Sequence, residues 1–325
     1  MMPMVRSHGK VGRFLRISLF GLFAAQTCIA VALGWICQRA EQQRQAVNWI
    51  LSQGGEIRYE HYLKLKTGVC YTTGSEEDKA QRAACSPENG WLANAIGKHY
   101  VHHVEEVLFQ KSKLEGDVRS LKYAHGAKKL MFWECNLTAD VLASIGDCNN
   151  AETIYISDCR WNQTALGHLA RLPKLKHLYL QNMPLDNEGL EHLGKCNGLE
   201  SLDLTYCKFP ATDFSKLRPL TKLTYCGLCF TSVGDKQLYV VADWRNLMRL
   251  ELGENVTDAG LAELKKLKNL DTLVFMKSVV TDAGIVQLVG LPKLHSLHMS
   301  QCQLSDELIS RLSKEDPKWV ISYVR

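Results

Sequence analysis

The chain has 325 residues, 46% of them hydrophobic, and a formal net charge of +5. That length buries a substantial core, and the composition excludes wholesale disorder and collagen-like structure. Arg6, Lys10, Arg13 and Arg16 stand in the first sixteen positions without an acid among them, leaving 35 basic against 34 acidic residues in the rest; a nucleic-acid binder concentrates basic charge on its folded body, so nucleic acid is set aside as a partner.

Residues 1–16 read as a basic tail held on the cytoplasmic side. The run Ile17–Cys37, ISLFGLFAAQTCIAVALGWIC, carries no charge. Its 21 residues span about 32 Å as a helix, close to the hydrocarbon thickness of a bilayer. A signal-peptide apolar region is shorter, about 7–15 residues, and a soluble helix would keep a polar face that this run lacks. The reading is one transmembrane helix, with the lipid bilayer as partner through residues 17–37 and Trp35 as interfacial anchor. Because a basic flank stays cytoplasmic, the body is expected to be extracytoplasmic. Secretion after cleavage at Ala30-Val31-Ala32 is the alternative.

Residues 38–103 form the next segment. Ala40–Ser52 is patterned as a helix, with Ala46, Val47, Ile50 and Leu51 on one face and Gly54-Gly55 as its stop. Glu56–Tyr62 alternates like a strand, and TTGSEEDKAQRAACSPENG reads as a loop. We read the segment as a small α+β cap over the first unit of a repeat array that begins at Val104, since terminal units of such an array need a polar outer face. A small independent binding module is the alternative. Cys70 and Cys85 lie in its polar stretch, and export would place them where disulfides form. A bond between them is expected, closing a loop of 16 residues; two unrelated thiols are the other reading.

From Val104 the chain repeats itself. The pattern L-x-x-L-x-L begins at Val104, Ala127, Ala151, Leu175, Leu199, Leu223, Leu247, Leu270 and Leu294, at intervals of 23 or 24 residues. Position 4 runs from Val107 and Leu130 to Leu297, and position 6 from Phe109 and Phe132 to Met299. This alternation predicts a strand with one buried face. The second half of each unit changes period: in LELGENVTDAGLAELKKLKN, Leu261, Leu264 and Leu267 follow at helical spacing, and Thr257 and Asp258 stand where a side-chain oxygen caps the helix. A tenth strand is expected at Val320–Tyr323, so residues 104–325 read as about nine units plus a terminal strand.

These units resemble leucine-rich repeats of the cysteine-containing type, with T-D-x-x-L helix starts in VTDAGLAEL and VTDAGIVQL. With the apolar run, AVNWILSQGGEIRYEHY and a later W-L-x-x-x-x-G before the first strand, the chain resembles membrane-anchored bacterial leucine-rich-repeat proteins. The resemblance implies an α/β solenoid, a curved horseshoe with a parallel sheet on its concave side and helices on the convex side. It implies binding as the activity, and it carries over no catalytic residues and no cofactor.

Twelve cysteines sort by position. Cys135, Cys159, Cys207 and Cys302 fall at position 9, where the chain leaves the strand; Cys148 and Cys196 fall at position 22 on the core side, and Cys226 at core position 4. All are read as small buried hydrophobes. Cys226-Gly227-Leu228-Cys229 has C-x-x-C spacing without a second pair, and alternation points Cys229 outward. Gly189–Cys196 approaches a phosphate loop but ends in Cys and sits in a repeat helix with Leu190 and Leu193 as core. His99, His102 and His103 lack H-E-x-x-H spacing, so no metal site and no enzyme is expected.

The function expected is an exported, membrane-anchored scaffold that binds a protein or peptide on the concave sheet. An enzyme or sensor with its active part in residues 39–103, and an adaptor of the F-box type, are the alternatives. Position 5 reads Leu108, Met131, Tyr155, Tyr179, Asp203, Gly227, Glu251, Val274 and His298. With Trp133 and Tyr225 from flanking ladders, four of five adjacent strands present an aromatic on the outward face. Aromatics are enriched in binding hot spots, so Trp133, Tyr155, Tyr179 and Tyr225 are the candidate ligand residues, with Asp203, Arg249 and Glu251 as polar companions. Mutual stacking that merely covers the sheet is the competing reading. Tyr206 and Phe230 follow at position 8, near the strand ends.

Overall fold

The alternating apolar residues of each repeat form the strand they predict. The computed structural model describes residues 19–59, 104–161, 163–302, 304–315 and 320–324. Its strands in chain order are β1 (Glu56–Tyr59), β2 (Val104–Gln110), β3 (Lys129–Trp133), β4 (Asn136–Leu137), β5 (Thr153–Ser157), β6 (Arg160–Trp161), β7 (His177–Gln181), β8 (Ser201–Asp203), β9 (Tyr225–Leu228), β10 (Arg249–Leu252), β11 (Thr272–Met276), β12 (Ser296–Ser300) and β13 (Val320–Val324). Eleven of them join one sheet in the order β1-β2-β3-β5-β7-β8-β9-β10-β11-β12-β13, and β4 and β6 pair separately. From β2 to β13 every neighbour is parallel.

Register follows the repeat interval. Tyr155 sits beside Tyr179, Tyr179 beside Asp203, Asp203 beside Gly227 and Gly227 beside Glu251. Positions 4 and 6 are buried in every repeat, from Val107 and Phe109 to Leu297 and Met299. Phe109 and Phe132 stack with centroids 5.5 Å apart, which carries the core across the first two repeats. The result is an α/β leucine-rich-repeat solenoid on a parallel sheet.

The return segments are of two kinds. Residues 139–146, 187–194, 258–264, 282–286 and 306–315 are α-helical, while residues 118–123, 163–171 and 211–217 take the tighter 3-10 form. The cap expected at Thr257 is made, its hydroxyl accepting from the Ala259 N–H at 3.3 Å, and Thr138 likewise accepts from the Val141 N–H at 3.4 Å, whereas Thr281 makes no side-chain cap. Leu190 and Leu193 are buried in the 187–194 helix, so the phosphate-loop lookalike is helix core.

The turn out of each strand takes a conformation that the residue types do not signal. Lys111, Glu134, Asp158, Asn182, Tyr206, Phe230, Lys277 and Gln301, the position-8 residues of eight repeats, have φ between 51° and 61°. The chain leaves the sheet through a left-handed residue, and none of these is glycine.

The expected N-terminal arrangement is corrected in part. Leu19–Ser52 is one uninterrupted helix, α1. Among the described residues no helix is long and apolar enough to cross a membrane. Ile17, Ser18 and the side chains of residues 19–25 lie outside the described residues. The transmembrane helix expected at residues 17–37 therefore has no support from the fold.

The C-terminal part of α1 is a lid on the first repeat. Ala46, Val47 and Ile50 are buried as expected, but Leu51 is exposed, because the buried face turns through Gln43 instead. Trp49 meets Phe109 edge-on at 5.8 Å and donates its indole N–H to the Glu115 carbonyl at 3.2 Å. Gly55 is required by close approach: a Cβ there would fall 2.6 Å from the Phe109 ring. β1 then pairs antiparallel with β2, and Arg58 bridges to Glu106 at 3.0 Å. Residues 60–103, with the expected Cys70–Cys85 bond and His99, His102 and His103, lie outside the described residues.

Candidate functional site

The outward face of the parallel sheet is built from positions 3, 5 and 7. Because 24 residues separate equivalent positions on β5 and β7, Tyr155 and Tyr179 stand side by side, and their rings stack with centroids 4.1 Å apart and planes 4° apart. Lys129, one strand earlier at position 3, places its ammonium 5.3 Å from the Tyr155 ring centre. Tyr225 comes from the position-3 ladder and meets Tyr179 at 6.5 Å with a tilt of 38°. Trp133 is half-buried two positions further along β3, level with Ser157. The structure thus brings three of the four candidate aromatics together and sets Trp133 in the adjoining ladder.

Stacking and exposure coexist here. Tyr155 and Tyr179 are both half-buried, so the pair covers the sheet and stays partly open to solvent.

The polar companions are more committed than the sequence suggests. Asp203 is only 5% exposed. Its carboxylate accepts from Gln181 Nε2 at 2.8 Å, from the Thr205 backbone N–H at 2.8 Å and from the Thr205 hydroxyl at 2.5 Å. It lies over Gly227, where a Cβ would come within 2.6 Å of Asp203 Oδ1 and 2.9 Å of the Tyr225 hydroxyl. Arg249 pairs with Glu251 on its own strand at 2.8 Å. Burial, followed by the Asp203 and Glu251 carboxylates, pushes the Tyr225 hydroxyl well above the usual phenol range. Tyr225 is therefore a neutral hydrogen-bonding group at any physiological pH.

Cys229 departs from its expected outward exposure. It is 3% exposed, because the next repeat closes over it: Gly253 packs against its backbone and its thiol donates to the Leu252 carbonyl at 3.6 Å. Burial first, then Glu251 and Asp203, pushes that thiol up to about 12. Cys226 is shifted well upward by full burial. Both thiols lie in the packed core of the repeats. Among the described residues no three His, Cys, Asp or Glu side chains converge as metal ligands.

The position-9 cysteines form a sulfur ladder. Cys135 N–H donates to Cys159 Sγ at 3.3 Å, and Cys159 N–H to Met183 Sδ at 3.3 Å. A shallow depression of about 460 Å³ lies at the opposite, strand-start rim, lined by Glu200, Lys222, Thr224, Met248 and Lys293 among others. Strand alternation does not point to it, since its residues occupy positions 2 and 24.

A family model described as "FBD-associated F-box protein At5g56370, LRR repeats" matches residues 118–267. No curated protein matches the chain in sequence. Among solved structures, internalin C2 from Listeria monocytogenes is 21% identical with a TM-score of 0.48, covering 63% of this chain and 84% of its own. An internalin, inlF, from the same organism is 15% identical with a TM-score of 0.45, covering 67% and 80%. Neither a membrane anchor nor a bacterial origin is supported by these likenesses. The in-register units of 23–24 residues, with the family match across their centre, support a leucine-rich-repeat fold for the repeated part of the chain.

Proposed function

We propose that the protein is an interaction scaffold that binds a protein or peptide on the outward face of its parallel sheet. The observation that carries this reading is the Tyr155–Tyr179 stack, with Tyr225 tilted against it, at the middle of that face. Paired rings give large contact area at low side-chain entropy cost, which is what interface hot spots use. Trp133 extends the aromatic surface, and Tyr225 adds a neutral hydroxyl. Asp203, Arg249 and Glu251 act by shaping and charging the floor.

Membrane attachment, with the repeats extracytoplasmic, belongs to the same proposal and rests on the sequence. The uncharged run of residues 17–37 follows four basic residues, and Ile29, Val31, Leu33, Trp35 and Ile36 are exposed along α1. The Arg39 guanidinium sits 5.2 Å from the Trp35 ring, a pairing suited to a headgroup boundary. An adaptor role of the F-box type is a second reading, favoured by the description of the matching family model; no F-box is recognisable in the sequence.

One experiment addresses these readings together. Full-length protein is recovered from a carbonate-washed membrane pellet, its bound partners are identified, and their affinity is measured for wild type and for Tyr155→Ala with Tyr179→Ala. Binding is expected to weaken by more than about 1 kcal/mol with the fold intact. Unchanged affinity removes the sheet face as the site, and recovery only in the soluble fraction removes the anchor.

A further inference from the structure

At the rim of the sheet, Tyr206 and Phe230 stack with centroids 4.5 Å apart and planes 6° apart. They occupy position 8 of adjacent repeats, where the backbone is left-handed, with φ of 61° and 56°. That conformation disfavours side chains with a Cβ, and bulky ones most. At the other left-handed position-8 sites the side chain is Lys, Glu, Asp, Asn or Gln. Tyr206 is also 52% exposed, so its ring contributes little to the core. An exposed ring in a disfavoured conformation is poorly explained by stability and well explained by contact with something else.

The chain itself shows what sits well on such a stack. Lys277 reaches back from β11, on the far side of Phe230 from Tyr206, to place its ammonium 5.6 Å from the Phe230 ring centre. The Tyr155–Tyr179 stack is closed by Lys129 in the same way. The opposite end of the rim stack, the Tyr206 face towards β7, has no such cation among the described residues. Its neighbour there, Asn182, turns its amide away to donate to Asp158 Oδ1 at 2.5 Å. Beyond Asn182 the ladder continues with Asp158, whose carboxyl is held below its usual range by donations from Ser157 and Asn182, and then with Glu134, which is paired to Lys111 at 3.8 Å. The open end is a flat π face beside Asn182, with the Asp158 carboxylate one strand further on.

We propose that the Tyr206–Phe230 stack is a seat for an arginine side chain of a protein partner, the guanidinium lying flat on the free face of Tyr206 beside Asn182 and steered there by Asp158. Arginine fits better than lysine because its planar, weakly hydrated guanidinium stacks on a ring while its edge donates hydrogen bonds. This seat is distinct from the Tyr155–Tyr179 site and stands without it.

The test measures binding of fluorescein-labelled hexa-arginine and hexa-lysine peptides to the full chain by anisotropy at physiological salt. Hexa-arginine is expected to bind about three- to fivefold tighter than hexa-lysine. The double variant Tyr206→Asn with Phe230→Asn, which leaves every charge in place, is expected to lose that preference. It should also melt at the same temperature or higher, since Asn tolerates the left-handed conformation better. The Tyr155→Ala, Tyr179→Ala protein should keep the preference. Equal binding of the two peptides by wild type overturns the proposal, as does a preference that survives in the rim variant. A lower melting temperature for the rim variant would show that the rings serve the fold, which overturns it too. Loss of preference in the Tyr155→Ala, Tyr179→Ala protein alone would move the seat to the sheet face.

Discussion

Asp258 joins two repeats with one side chain. It is the first residue of its own helix, next to the Thr257 cap. Its Oδ1 accepts from the Thr281 backbone N–H at 2.8 Å and its Oδ2 from the Thr281 hydroxyl at 2.5 Å. Asp235 holds Thr257 the same way at 2.8 and 2.7 Å, and Asp282 accepts from the Ser305 N–H at 3.0 Å and from its hydroxyl. The T-D pair is thus a lateral clasp, with a local cap at Thr257, and the helix glycine of the next unit makes room for it: a Cβ at Gly284 would collide with the Asp258 carboxylate. The sequence displays the local half of this arrangement, since Thr before a helical run is a cap by itself. It hides the lateral half, because the partner lies 23 residues away. Asp258→Ala removes two hydrogen bonds to an ionised acceptor and should cost about 1–3 kcal/mol in urea unfolding. Exposed Glu254→Ala provides the control. Equal losses in the two variants would leave the clasp without energetic meaning.

At the scale of elements, α1 is where pattern and structure agree on one half of a helix and differ on the other. The apolar spacing of Ala46, Val47 and Ile50 is legible because these residues share a helical face, and all three are buried. Leu51 breaks the pattern because the sequence does not reveal which way the helix rolls on its partner; Gln43 takes part of the buried face. The 3-10 segments are also illegible as such, since their apolar spacing resembles that of α-helix over so few residues. In a solenoid each unit touches only its neighbours, so damage to the lid should remain local. Ile50→Ala opens a fully buried site against Phe109 and Gly55 and should cost about 2–5 kcal/mol. Hydrogen exchange should accelerate at Val107–Phe109 on β2 and stay unchanged at Leu273–Phe275 on β11. Uniform acceleration along the sheet would mean that the array unfolds as one cooperative body.

For the molecule as a whole, the sheet is readable because one interval recurs, and the binding face only in outline. Periodicity assigns Tyr155 and Tyr179 to one ladder; it does not reveal that Asp203 is saturated by Gln181 and Thr205, or that position 8 is left-handed. The same burial that makes the cysteines good core residues gives the molecule a response to alkali. Burial pushes the thiols of Cys148, Cys196, Cys207 and Cys229 up to about 12, whereas in an unfolded chain they titrate at about 8.5. Between those values the folded state keeps protons that the unfolded state releases, so stability is fully present below about pH 8.5 and is lost as pH rises towards 12. Each such thiol steepens the decline by up to about 1.4 kcal/mol per pH unit. Urea unfolding of wild type at a series of pH values from about 8 to 10.5 should therefore show a falling stability. The variant carrying Cys148→Ala, Cys196→Ala, Cys207→Ala and Cys229→Ala starts lower at pH 8 because it has lost packing, but should follow a flatter line. Lysines and tyrosines titrate equally in both proteins, so the difference in slope isolates the thiols. Parallel lines would mean that the thiols ionise in the folded array as easily as in the open chain.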